Sequence, residues 1–171
     1  FLGNWKTLAE GEQDLTEARI FKTSRKGYGE IGNRDVIAVT KPAEGVERAV
    51  KFATAYSQLD IGLELAAGKY EMALFAAGTS SGSDSFYVSI DAGERVPFHI
   101  PIDVFGPSSS EWTKDTPTPN IEVPTDGLHR ITITLREGPG PMLDRIVIRD
   151  AEGKAVADLQ AEEAPPVPDE W

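Results

Sequence analysis

From Gly127 to Asp150 the chain reads Gly-Leu-His-Arg-Ile-Thr-Ile-Thr-Leu-Arg-Glu-Gly-Pro-Gly-Pro-Met-Leu-Asp-Arg-Ile-Val-Ile-Arg-Asp. Ile131, Ile133 and Leu135 alternate with Arg130, Thr132, Thr134 and Arg136, the period of a strand with one buried face. Gly138-Pro139-Gly140-Pro141 then stops the ladder, because proline donates no amide hydrogen and glycine accepts turn geometry. Ile146 and Ile148 restart an inward face, flanked by Arg145, Val147 and Arg149. The pair reads as the end of a β-sandwich, with Ile133 and Ile146 buried on facing or neighbouring strands.

Working outward, the same period recurs upstream. Short strands are expected from Ala18 to Phe21 and from Val36 to Thr40, the latter ended by Lys41-Pro42. Arg48 to Tyr56 carries alanines and is open to either helix or strand. Its neighbours favour strand, since Ile61, Leu63 and Leu65 alternate, and so do Tyr70, Met72, Leu74 and Ala76. Phe86 to Asp91 makes another strand, and Val96 to Ile102 alternates with Pro97 and Pro101 on the other phase, which implies an edge. Runs at about ten-residue spacing predict an all-β, antiparallel sandwich of jelly-roll type.

Asp103 to Asn120 has no period, and loops of that length are usually functional or disordered. Residues 1–15 read as an N-terminal extension or linker, or as an extra strand on the sandwich. Residues 16–160 form the domain, with a short strand from Ala155 to Leu159. Residues 161–171, with Pro165, Pro166 and Pro168, read as a stiff C-terminal linker.

Composition bounds the function. The 171 residues fit one domain. With 28 acidic against 17 basic residues the net charge is −11, which repels phosphate backbones and argues against nucleic-acid partners. No apolar run reaches the roughly 20 residues of a membrane helix. The chain opens at Phe1 with no apolar signal region, so any export signal would have been removed or lies outside this sequence. The absence of cysteine rules out disulfides and thiolate chemistry without fixing the compartment.

No nucleophile elbow, phosphate loop or dinucleotide fingerprint is present. His99 and His129 sit in no metal or nucleophile motif, and His129, opening a strand, is expected to pack or hydrogen-bond there. Glycoside hydrolysis needs only two suitably spaced carboxylates, so the acid count leaves a hydrolase or lyase on the same fold open as an alternative. Trp112 and Tyr28 fall in expected loops, where an exposed ring can stack on the apolar face of a pyranose while polar neighbours orient it. A lid residue folded onto the core is the other reading of each.

Several of these pieces, in order, resemble the carbohydrate-binding modules of families six and thirty-five, which are galactose-binding-like β-sandwiches. They are the Asp126-Gly127 turn, the His129-led strand, the Arg136-Glu137-Gly138 loop, the strand opening at Leu143-Asp144, the Gly68-to-Leu74 strand and the Ser83-to-Asp91 strand. The likeness covers roughly residues 15 to 150. It implies a non-catalytic unit binding poly- or oligosaccharide, extracellular or at the cell surface, which can be linked to a catalytic domain in a longer chain. It implies that Trp112 and Tyr28 form the aromatic platform. It also implies a structural calcium held by Glu17 of an E-A-E-like motif and by Asp144. Arg19 stands where that motif has its second acid, so a salt bridge from Arg19 to Glu17 or Asp144 is the competing reading. Met142 stands where such modules carry a ligand-contacting asparagine, which favours a structural or adhesion sandwich without a sugar site as the competing function.

Overall fold

The structure is a computed structural model that describes residues 8–17, 19–20, 30–109 and 121–168, with 19, 20 and 30 through their backbone only. Among the described residues the chain forms fourteen strands. The first five are β1 (Gln13–Asp14), β2 (Arg19–Ile20), β3 (Glu30–Ile31), β4 (Val36–Ala43) and β5 (Val46–Phe52). Then come β6 (Gln58–Leu65), β7 (Gly68–Ala77), β8 (Ser85–Ile90), β9 (Val96–His99) and β10 (Gly106–Pro107). The last are β11 (Ile121–Val123), β12 (Gly127–Leu135), β13 (Met142–Arg149) and β14 (Ala155–Gln160).

Twelve of them build two antiparallel sheets, and β2 pairs with β3 in a separate two-stranded one. The larger runs β1-β4-β5-β13-β7-β10, with β11 also on β7 and β14 on β13; the smaller runs β6-β12-β8-β9. The alternation seen in the sequence is what lets them face each other. From the larger sheet Val36, Val50, Phe52, Met72, Leu74 and Ile146 point inward, and from the smaller Leu59, Ile61, Phe86, Val88, Ile131 and Ile133 meet them. Phe52 and Phe86 join across the sheets edge to face, their ring centres 4.8 Å apart. Ile133 and Ile146 are wholly buried, one in each sheet.

Arg48 to Tyr56 resolves as strand through Phe52 and turn thereafter. The Val96 strand lies at the edge of the smaller sheet, as its prolines imply. The strand that Lys41-Pro42 was expected to end continues to Ala43, because an irregular register beyond Thr40, with Lys41 at φ 48°, absorbs the break. Gln13–Asp14 adds to β4 as an edge strand.

The 161–171 stretch, expected as a stiff linker, packs on the sandwich as far as Val167. Ala161 and Val167 are buried, the amide of Gly62 donates to the Pro165 carbonyl, and Val167 packs with Ile31 and Leu128. Proline lacks a donor but keeps its carbonyl, so a Pro-rich stretch can still accept from an edge strand.

Candidate functional site

At one end of the sandwich four connections gather. Residues 53–57 join β5 to β6, 78–84 join β7 to β8, 100–105 leave β9, and 136–141 join β12 to β13. The first of these is a braced turn. Thr54 Oγ1 donates to Asp35 Oδ2 at 2.8 Å, and the amide of Tyr56 donates to Thr54 Oγ1 at 3.2 Å. The amide of Thr54 donates to Ser57 Oγ at 3.0 Å, while the Ser57 hydroxyl donates to the Asp35 carbonyl. The result is a tyrosine 74% exposed on a fixed backbone.

The neighbouring loops are held by close backbone approach. Gly78 bonds to the Pro101 carbonyl and accepts from Asp103, and a Cβ on it would lie 2.6 Å from the Ser83 carbonyl. Gly140, at φ 121°, lies against Thr79 and donates to the Phe52 carbonyl. Gly138 donates to the Gly82 carbonyl. Ile102 and Val104 stand out on the 101–105 knuckle, 41% and 60% exposed, around Asp103 at φ 62°.

Beside this surface Asp84 shares a side-chain hydrogen bond with Glu137. Partial burial and then Glu137, through that bond and its charge, raise the Asp84 pKa above its ordinary 3.8, while His99 opposes the shift. Glu137 also accepts from Ser85 Oγ at 3.0 Å. At the opposite end a concavity of about 590 Å³ lies between the β8–β9 turn and β11. Among the described residues Val88, Ile90, Val96 and Ile121 line it, together with Lys69 and Glu122.

Trp112 and Tyr28 lie outside the described residues. Before Trp112, Ser109 bridges His99 at the β9 edge of the smaller sheet, and after it Ile121 pairs with β7 of the larger; after Tyr28, Ile31 precedes the Arg34–Gln58 bridge beside β6. Glu17 and Asp144 are not brought together. The Glu17 amide bonds to the Asn33 carbonyl beyond β1, and Asp144 lies in β13. In the larger sheet β4 and β5 stand between β1, which leads to Glu17, and β13, which carries Asp144. Asp144 instead accepts from Gln160 Nε2 at 3.2 Å. Among the described residues no group of three or more His, Cys, Asp or Glu is placed to hold a metal. Met142 is half-buried against a small apolar cluster on the outer face of the larger sheet, with Ile37, Val39 and Phe105.

His129 is buried, as expected, with Nδ1 2.6 Å from Asp91 Oδ2 and Nε2 2.6 Å from the Thr125 carbonyl. Tyr56 was missed by sequence reasoning, because it closes a run whose alternation continues from the core of β5. The signal was the Thr54-Ala55-Tyr56-Ser57 turn, whose hydroxyls bond locally.

The chain matches no protein-family model and no curated protein. Among solved structures, a family 6 carbohydrate-binding module from Clostridium cellulolyticum, in complex with xylose, superimposes with a TM-score of 0.51. It is 11% identical and covers 67% of this chain and 87% of that one. TmCBM61 in complex with β-1,4-galactotriose gives 0.41 at 20% identity, covering 70% and 86%. A Paenibacillus cycloisomaltooligosaccharide glucanotransferase complexed with cycloisomaltoheptaose gives 0.47 at 14% identity, covering 68% of this chain and 17% of that one. At such identities the likeness is one of fold, and the chain is an antiparallel β-sandwich similar in fold to the family 6 module.

Proposed function

We propose that the chain is a non-catalytic module that binds poly- or oligosaccharide, within an exported polysaccharide-handling or cell-surface protein. Its ligand face is the end that carries the 53–57, 78–84, 101–105 and 136–141 loops. The observation that carries this reading is Tyr56, an aromatic ring 74% exposed on a turn braced by Asp35, Thr54 and Ser57. A pyranose has apolar C–H faces, and a ring already held in place stacks on one with little ordering cost. Thr79 and Asp103 lie on other loops of this end.

The test is a glycan array followed by affinity electrophoresis in soluble polysaccharides, with Tyr56→Ala beside the parent chain. Tyr56→Ala should weaken binding by about 1 to 3 kcal/mol, the range for aromatic stacking on flat ligands, and leave the melting temperature nearly unchanged. Trp112→Ala and Tyr28→Ala, run in parallel, report whether either ring shares the site. Full affinity in Tyr56→Ala would remove this face from the site, and an array without a bound glycan would favour the structural or adhesion reading.

A further inference from the structure

His129 is 2% exposed, and both of its ring nitrogens face acceptors at 2.6 Å: Nδ1 the Asp91 carboxylate and Nε2 the Thr125 carbonyl. A neutral imidazole has one N–H and one lone pair, and a carbonyl has no proton to give. Nε2 therefore donates to Thr125, and the Asp91 contact needs a further proton between Nδ1 and Oδ2. Asp91 also accepts the Arg130 amide on Oδ1 at 2.8 Å, a bond that is stronger to a carboxylate and puts that proton on the ring. On either oxygen or nitrogen, the pair holds one proton more than a carboxylate beside a neutral imidazole.

That proton joins two turns. Asp91 and Ala92, at φ 51° and 58°, carry the chain from β8 toward β9, with the Gly93 amide donating to the Ile90 carbonyl. Left-handed backbone at two residues other than glycine is costly and has to be held by its surroundings. Thr125 lies between β11, which pairs with β7 of the larger sheet, and β12 of the smaller. Residues of both turns, Asp91 and Gly93 of the first and Pro124 of the second, line the concavity at this end. Leu63 stands opposite His129 in β6. Among the described residues, Arg130 bonds Asp60, the Tyr70 hydroxyl donates to the Ala66 carbonyl, Asp126 accepts the Ala67 amide, and Lys69, Glu94 and Glu122 line the concavity with Asp91.

We infer that the His129–Asp91 pair is a proton-operated tie. With the proton it locks the β8–β9 turn to the β11–β12 turn, and without it one of the two contacts sets lone pair against lone pair and the turns come apart. The unfolded chain gives up the corresponding proton as the pH passes the ordinary histidine range, near 6.5. The native chain then binds one proton more. The stability contributed by the tie is complete in acid and declines above that range, by up to about tenfold in the folding equilibrium constant per pH unit.

Asp91→Asn isolates the proton. Asparagine tolerates the left-handed conformation, keeps an oxygen for the Arg130 amide and offers an N–H to Nδ1, so a neutral imidazole satisfies both contacts. In urea unfolding from pH 6 to 9 the parent chain should lose about tenfold or more in folding constant relative to Asp91→Asn, other titrating groups being common to both. Nitrogen-15 spectra of the folded parent at pH 7.5 should show hydrogen on both His129 ring nitrogens, with His99→Gln assigning the signals. Equal pH dependence in the two chains, or a hydrogen-free His129 ring nitrogen at pH 7.5, overturns the tie. The spectra need only the unaltered chain, so they decide the matter alone if Asp91→Asn fails to fold.

Discussion

Asp84 and Glu137 can share a hydrogen bond only while one proton stays between them, since two carboxylates have no donor to offer. The Asp84 pKa is raised above 3.8, first by burial and then by Glu137. An aspartate of that kind adds stability below its unfolded pKa and loses it as pH rises through the folded value. The contribution is therefore present in acid and gone at neutral pH, where the pair repels. Asp84→Asn keeps a donor to Glu137 and removes a charge. Thermal melts from pH 3.5 to 7 should show the variant more stable than the parent at pH 7 by at most about 1 kcal/mol, the ceiling for exposed charge pairs, with the gap closing toward acid. A gap that widens toward acid would contradict the shared proton. The position of His129 was readable because a histidine opening an alternating strand has few places to go. Tyr56 was not, since a tyrosine one step past a strand obeys the same period whether it turns inward or out, and only the bonds to Asp35, 19 residues away from Thr54 in sequence, settle it.

β12 is the element whose alternation predicted one face correctly and the other only in part. Its inward residue Ile133 is wholly buried, so Ile133→Ala should cost about 2 to 5 kcal/mol through lost transfer energy and a residual cavity, measured by urea unfolding. Its outward Arg130 might be expected to reach water, yet it is 4% exposed. Arg130 Nε donates to both oxygens of Asp60 at 2.9 Å, and Asp60 also accepts from Thr132 Oγ1 at 2.6 Å and from the Gly32 amide at 2.8 Å. Alternation gives only the side of a strand, and here the chain's own Ile31 and Val167 pack on that side with Leu128. Removing one partner leaves a buried charge, so Arg130→Met should destabilise by about 3 to 5 kcal/mol in the same urea titration, far more than an exposed arginine would. The strands were legible because each needs only a local period. The 161–168 stretch was not, because its proline content is shared by free linkers and its partner, Gly62, lies about a hundred positions upstream.

At the scale of the whole molecule, the separation of Glu17 from Asp144 bears on metal dependence. An ion bound only by the native chain would add stability by mass action. With β4 and β5 between β1, which leads to Glu17, and β13, which carries Asp144, a chelator should leave the melting curve unchanged, and a lowered transition would restore the pair as metal ligands. The sandwich was readable from turns and alternation taken in order, whereas spacing in sequence does not fix which strands become neighbours.

The packing along β6 also bears on crowding and storage. The amides of Gln58, Asp60 and Gly62, which face away from β12, already donate to the Arg34 carbonyl, to Asn33 Oδ1 and to the Pro165 carbonyl. A stray strand from a second molecule finds no row of open donors there, and at the far edge Pro97 interrupts β9. Concentrated solutions of the intact chain should scatter light as dispersed single molecules. Truncation after Ala164 would uncover the Gly62 amide and make that edge the place where fibrils start.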